Sequence, residues 1–245
     1  MALLNVASVI AIYLIASTYA FLTLLPANTP KASISPLTLS LLFFNNLNIF
    51  IALCEIVLGV HILTIKEDYK QLYAKYAANG KGNEWPACVK FLTMPVPITQ
   101  LFSGKYIWSK MWSTYSLYDP SYQNHESFGF FIDFGNGLST IPPSILMNLA
   151  MVLDTSKYVD NEGWIGTVMS PLFVGCVGLA MYWQVMYGTI IYVLSFMFNR
   201  RYEGKSTLEV SLFVGISNSL WFFFPIAGIY SCVCILRDGN MSVFQ

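Results

Sequence analysis

The sequence predicts an all-α integral membrane protein of about five transmembrane helices, with an interfacial helical and aromatic cap between the second and third. Hydrophobic residues make up 56% of the 245 residues and charged residues only 11%, whereas soluble domains are about 25% charged. A helix needs about 20 apolar residues to cross the hydrocarbon core of a bilayer. Five runs are long enough, at residues 3–25, 37–64, 127–153, 164–198 and 208–236.

Each run has a recognisable boundary. The first begins without a basic segment and exceeds the apolar core of a signal peptide, so we expect a retained helix. Residues 65–126 mix lysines with tyrosines and tryptophans, which favour the headgroup level, and this composition predicts the cap. The fourth run is longer than one crossing requires, and Ser170 and Pro171 predict a break with the crossing beginning near Leu172. The predicted organisation is a first helix and loop (1–36), a four-helix membrane domain (37–236) and a short tail (237–245).

Composition also argues against several classes of function, including nucleic-acid binding and metal binding. The formal net charge is zero, so strong attraction to nucleic acid is not expected. The chain has two histidines, His61 and His125, which excludes a multi-histidine metal site. Its five cysteines are odd in number and lie mostly in apolar runs, so no disulfide framework or zinc spacing follows. We expect no metal, no cofactor and no nucleic-acid partner.

Two acids lie well inside the predicted crossings, Glu55 in the second and Asp133 in the third. An ionisable group in hydrocarbon costs about 2.5 to 3.5 kcal/mol on insertion scales and usually faces a bundle interior or a cavity. One interpretation is structural, with each acid hydrogen-bonded to a neighbouring helix. The other is functional: the pair faces one cavity and moves protons or holds a cation.

Polar and aromatic residues near these acids extend the candidate site. Asn136 and Thr140 follow Asp133 by three and seven residues, so the three side chains share one helical face. Asn218 and Trp221 are three residues apart in the last run and are predicted to line the same cavity, with Tyr115 or Tyr122 of the cap closing its mouth.

Several of these residues occur in the order and spacing of a known family. The chain resembles the emopamil-binding protein family, whose domain of EXPERA type is shared with sigma-2 receptor-like proteins, over roughly residues 37–236 except near 65–126 and 154–170. The residues that carry the resemblance are Trp112, Tyr115, Asp119, Tyr122, Phe128, Asp133 and Pro142, then Tyr187, Gly188 and Tyr192, then Asn218, Leu220, Trp221 and Pro225.

The resemblance implies a sterol isomerase that shifts a ring double bond from delta-8 to delta-7 in an apolar cavity. Glu55 and Asp133 would be the acid and base, and Asn218, Trp221 and Tyr187 would contact the lipid. Trp221 would face the carbocation intermediate, whose charge hydrophobic amines imitate, so such amines are expected ligands. The endoplasmic reticulum is the expected location, with another organelle membrane as an alternative.

The sequence departs from the family at two positions. Ile51 stands where the family has its catalytic histidine, and Thr189 stands where it has an acidic residue. His61 does not replace the imidazole, because six residues turn it away from the face of Glu55. Three functions therefore stay open: an isomerase of sterols or other polycyclic lipids, a non-catalytic sterol-binding or trafficking protein, and a structural subunit of a membrane complex. A homodimer or a partner in such a complex is possible in each case.

Overall fold

The computed structural model describes residues 4–26, 34–78, 86–154 and 163–244. Over these residues the fold is all-α apart from two two-residue strands, β1 (Leu4–Asn5) and β2 (Pro95–Val96), which pair antiparallel with Leu4 opposite Val96. The helices are α1 (Val6–Leu22), α2 (Pro36–Val60), α3 (Ile62–Ala78), α4 (Ala87–Thr93), α5 (Ser109–Tyr115), α6 (Phe128–Ser139), α7 (Ile141–Val152), α8 (Trp164–Val168), α9 (Pro171–Phe198) and α10 (Thr207–Asp238).

Three of the described helices, α2, α9 and α10, are long and apolar enough to cross a membrane. Two further apolar helices, α1 and α7, are shorter. A π-helical segment, Ser211–Ile216, interrupts α10, and another, Gly104–Trp108, leads into α5. The membrane class predicted from composition is supported by three candidate crossings.

The predicted third run is not one helix, because α6 ends at Ser139 and α7 begins at Ile141. Pro142 and Pro143 explain the break: neither can donate a backbone N–H to the preceding turn, but both are accepted in the first turn of a new helix. The backbone carbonyl of Thr140 accepts the first bond of α7, from the Ser144 N–H at 3.0 Å.

The break predicted in the fourth run is confirmed. Helix α8 ends at Val168 and α9 begins at Pro171, while Ser170 caps α9 by accepting the Phe173 N–H at 3.3 Å. Serine at the cap and proline in the first turn form a common helix start, since the missing proline N–H would have no intrahelical partner there.

The chain divides into two compact units, and the first comprises Met1–Ile12, Ile51–Leu138 and Ile190–Ser219. Within it α5 packs against α3 and α4. A small apolar cluster joins the start of α1 to the segment between α4 and α5, with Val6, Val9, Phe91, Val96 and Ile107 at its centre.

The second unit comprises Tyr13–Phe50, Ser139–Thr189 and Leu220–Gln245. Its core is larger and includes Leu41, Phe44, Met147, Tyr182 and Ile235. Close approach of helices depends on glycine, because a Cβ atom added at Gly228 would lie 2.5 Å from the Tyr182 ring.

Candidate functional site

The two predicted acids are brought together in the first unit. Glu55 on α2 is 7% exposed, and its carboxyl group interacts electrostatically with that of Asp133 on α6. Gly137 permits this approach: an added Cβ would lie 2.8 Å from the Ala52 carbonyl oxygen and 2.9 Å from the Glu55 Cβ. A glycine contact between α2 and α6 therefore positions the acid pair.

Tyr122 is the direct neighbour of Asp133. Its hydroxyl donates a hydrogen bond to the Asp133 carboxylate, and its ring lies 5.2 Å from that of Trp112 in a stacked arrangement. The Trp112 indole N–H in turn donates to the Cys54 carbonyl oxygen at 2.6 Å. Burial and the nearby negative charge of Asp133 raise the pKa of Tyr122 well above its usual value. The phenol therefore stays neutral and available as a donor.

A second group of polar side chains adjoins this tyrosine. The rings of Tyr115 and Tyr122 are 5.1 Å apart, and the hydroxyl groups of Tyr115 and Tyr192 are 3.3 Å apart. Asn218 donates from Nδ2 to the Tyr115 hydroxyl at 3.1 Å and to the Val214 carbonyl oxygen at 2.8 Å. Burial raises the pKa of Tyr115, although its bonds to Tyr192 and Asn218 act in the opposite direction. The structure thus places Tyr115, Tyr122 and Asn218 in one polar cluster with Asp133.

Sequence reasoning did not identify Arg201, which forms an ion pair beside this cluster. Its Nη1 donates to the Asp119 Oδ2 at 2.7 Å and to the Ser121 Oγ at 3.1 Å. The Asp119 side chain is fully buried and also caps the short helix Pro120–Gln123 by accepting the Ser121 N–H at 3.0 Å. Because Tyr122 belongs to that helix, the ion pair holds the segment that presents its hydroxyl to Asp133.

The remaining predicted residues are divided between the units. Asn136 lies on α6, three residues after Asp133, in the first unit. Thr140, Tyr187 and Trp221 belong to the second unit. Thr140 is 1% exposed, and the half-exposed Tyr187 ring stacks on Trp183. Their roles in lipid contact stay predictions.

The Trp221 indole is part of a buried amide network in the second unit. It donates to the Asn48 Oδ1 at 3.0 Å, and Asn48 donates to the Ser144 Oγ at 3.2 Å. Asn45 donates to the Asn148 Oδ1 and accepts from the Tyr182 hydroxyl, while Asn148 donates to Asn46. Asn46 donates to the Thr18 hydroxyl at 3.1 Å. The four asparagines within apolar runs were the signal for this network, which sequence reasoning missed.

An apolar groove of about 530 Å³ also lies in the second unit. Its walls include Leu14, Tyr19, Leu39, Phe43 and Phe224, with Thr18 and Ser40 as the polar contributors. Such a surface suits hydrocarbon, and its lining residues include no acidic or basic side chain apart from the Tyr19 phenol. Among the described residues, no group of three histidine, cysteine or acidic side chains could hold a metal ion.

No protein-family model, curated protein or solved structure matches the chain. The function must therefore be inferred from the geometry of the acid pair and from the motifs in the sequence.

Proposed function

We propose that the protein binds a sterol or another polycyclic lipid within the membrane and that Glu55 and Asp133 isomerise a ring double bond of that lipid. The observation that carries this proposal is the meeting of two acids from different helices at a glycine contact, with a phenol hydrogen-bonded to one of them. The order and spacing of Trp112, Tyr115 and Tyr122, which resemble the emopamil-binding protein family, support the choice of lipid.

The proposal includes five membrane crossings. Helices α2, α9 and α10 supply three, and α1, an uncharged apolar helix of 17 residues, supplies a fourth. Helices α6 and α7 have 12 residues each, too few for a crossing of about 20 residues, so the fifth crossing needs both. The described parts of 65–126, residues 65–78 and 86–126, form the proposed interfacial cap, and the endoplasmic reticulum is the proposed membrane.

The chemistry requires two groups that exchange a proton with carbon. One carboxylic acid protonates the delta-8 double bond at C9, which leaves a tertiary carbocation at C8. The other carboxylate removes a proton from C7, so the double bond shifts to delta-7 without net change in protons or electrons. Transfer of a proton between the neighbouring acids then restores the starting state. Negative charge close to the carbocation lowers the barrier.

A second candidate, binding or trafficking of the same lipid without chemistry, is favoured by Ile51. This residue lies one turn before Glu55 on α2, where the resemblance implies a histidine, and an aliphatic side chain cannot transfer a proton. Both candidates use the same acids to attract a cation or a polar lipid group. The two candidates differ only in whether the bound lipid is converted to a product.

Turnover can be tested with purified protein in nanodiscs containing a delta-8 sterol in D₂O. The proposal predicts a delta-7 product with one deuterium at C9. Asp133→Asn and Glu55→Gln should each slow the reaction by about 10² to 10⁴, the usual contribution of general acid or base catalysis. Gly135→Ala is the control, because an added Cβ there meets no atom within 4 Å.

Sterol binding measured in the same nanodiscs separates the candidates. Saturable binding without deuterium incorporation would establish the trafficking alternative. If neither binding nor turnover occurs with a panel of sterols, the lipid assignment is wrong.

A further inference from the structure

The segment between α4 and α5 presents an exposed face of mixed aromatic and basic character. Phe102 is 93% exposed and Tyr106 is 53% exposed. Lys105 is exposed on the same segment, and Lys110 is exposed in the first turn of α5 that follows it. A phenyl group so fully exposed is unfavourable in water, so a partner or an apolar medium is expected to cover it.

The buried side of this segment packs against α1 and shows which end of α1 the segment lies beside. Ile107 is 2% exposed and packs in one cluster with Val6 and Val9 of the first turns of α1, with Leu101 and Trp108 at the edge. The pairing of β1 with β2 ties the residue before α1 to the same region. The segment between α4 and α5, which carries Phe102, therefore lies beside the N-terminal end of α1.

That end of α1 marks an edge of the hydrocarbon if α1 is a crossing. The helix carries no charged residue, and its Ile12 side chain is 52% exposed. Side chains packed on its first turns then lie at the headgroup level, where aromatic rings and lysines are the favoured residue types. Phosphate and carboxylate headgroups complement the two lysines.

We propose that Phe102, Tyr106, Lys105 and Lys110 form a membrane-surface anchor, in which the rings enter the bilayer interface and the lysines bind anionic lipid headgroups. This anchor is independent of the chemistry proposed for the acid pair. It holds the cap against the bilayer on the side where the chain enters α1.

The test uses the full chain in nanodiscs, labelled with a trifluoromethyl phenylalanine in place of Phe102. Fluorine relaxation by dissolved oxygen, which concentrates in lipid, is compared with relaxation by a water-soluble gadolinium chelate. The same label at Ile15, 71% exposed on α1, gives the hydrocarbon reference, and at the exposed Glu203 it gives the water reference. Because Phe102 is exposed, its replacement leaves the packed side of the segment intact.

We expect the label at Phe102 to fall between the Ile15 and Glu203 references, as an interfacial position requires, in bilayers of phosphatidylcholine mixed with phosphatidylserine. Lys105→Gln and Lys110→Gln should each lower the ratio of lipid-exposed to water-exposed label by about fivefold in that mixture and change it little in phosphatidylcholine alone.

Three results would overturn the anchor. The label at Phe102 could match the Glu203 reference, which would place the segment in water. It could be shielded from both probes, which would indicate a second copy or another protein on this face. It could enter the bilayer equally in both lipid mixtures, which would exclude the anionic headgroup. A label at Ile15 that resembles the water reference would instead contradict the crossing proposed for α1.

Discussion

Buried polar side chains are arranged differently in the two units of this apolar chain. The second unit contains four hydrogen-bonded asparagines, whereas the first unit contains two neighbouring acids. Each asparagine employs both ends of its amide, and the bonds join side chains of α1, α2, α7, α9 and α10. In the first unit the carboxyl groups of Glu55 and Asp133 instead interact electrostatically, and a phenol donates to Asp133.

The difference is the physical reason for proposing a structural role for the amide network and chemistry at the acid pair. A network of neutral amides and hydroxyl groups has one favoured protonation state, so its contribution is to fix helices relative to one another. Two adjacent carboxyl groups can hold different numbers of protons, since a second negative charge is repelled by the first. Asp119 does not add a third free charge, because Arg201 neutralises it.

The largest expected effect concerns that ion pair. Arg201→Gln leaves the fully buried Asp119 carboxylate without its cation, which should lower the free energy of unfolding by about 3 to 5 kcal/mol. Chemical denaturation in detergent micelles measures the loss. Arg200→Gln is the matched control, because Arg200 pairs with Glu203 on the surface, where such pairs contribute about 0 to 1 kcal/mol. Equal losses in both variants would show that the buried ion pair contributes no more to stability than the exposed one.

A smaller loss should follow when the contact between α2 and α6 is forced apart. Gly137→Ala places a methyl group within 3 Å of two backbone atoms of α2, and overpacking of this kind costs about 1 to 3 kcal/mol. The same change at Gly135 enters open space and should be neutral or slightly stabilising. If both variants unfold at the same denaturant concentration, α6 does not pack on α2 through Gly137.

Some parts of this arrangement could be predicted from the sequence for clear physical reasons. Long apolar runs indicate helices, and the serine and proline at 170 and 171 indicated where one of them begins. The cost of burying an acid in hydrocarbon singles out Glu55 and Asp133 among the acidic residues, because both lie well inside apolar runs.

Other parts depend on contacts between distant segments, which hydropathy does not encode. An aspartate followed by a proline, as at Asp119 and Pro120, is typical of a helix start. The ion-pair partner of Asp119, however, is Arg201, which lies 82 residues away in the sequence. The asparagines at 45, 46, 48 and 148 were visible as polar residues in apolar runs, yet their pairing depends on how the helices rotate about their axes. The run at 127–153 was predicted as one crossing, whereas the chain starts a new helix at the two prolines after Thr140.

The smallest stability effect is expected in the amide network. Asn148→Leu removes the bonds to Asn45 and Asn46, and interhelical hydrogen bonds in membranes contribute about 1 to 2 kcal/mol in model peptides. Asn199→Leu, a change at an exposed asparagine whose amide bonds to Ser195 one turn earlier, is the control and should be close to neutral. The Asn148 variant should keep its affinity for a hydrophobic amine once folded. A selective loss of amine affinity would give this network a place in the ligand site.

The central claim, that the acid pair is the functional centre, is tested most directly by the affinity for a hydrophobic tertiary amine compared with a neutral sterol in nanodiscs. Asp133→Asn removes one negative charge with little change in volume. It should weaken amine binding by about 1.5 to 3 kcal/mol, or roughly ten- to a hundredfold, and leave sterol affinity nearly unchanged. Equal losses for amine and sterol would indicate a damaged fold. Absence of amine binding to the wild-type protein would contradict the claim and favour a structural subunit.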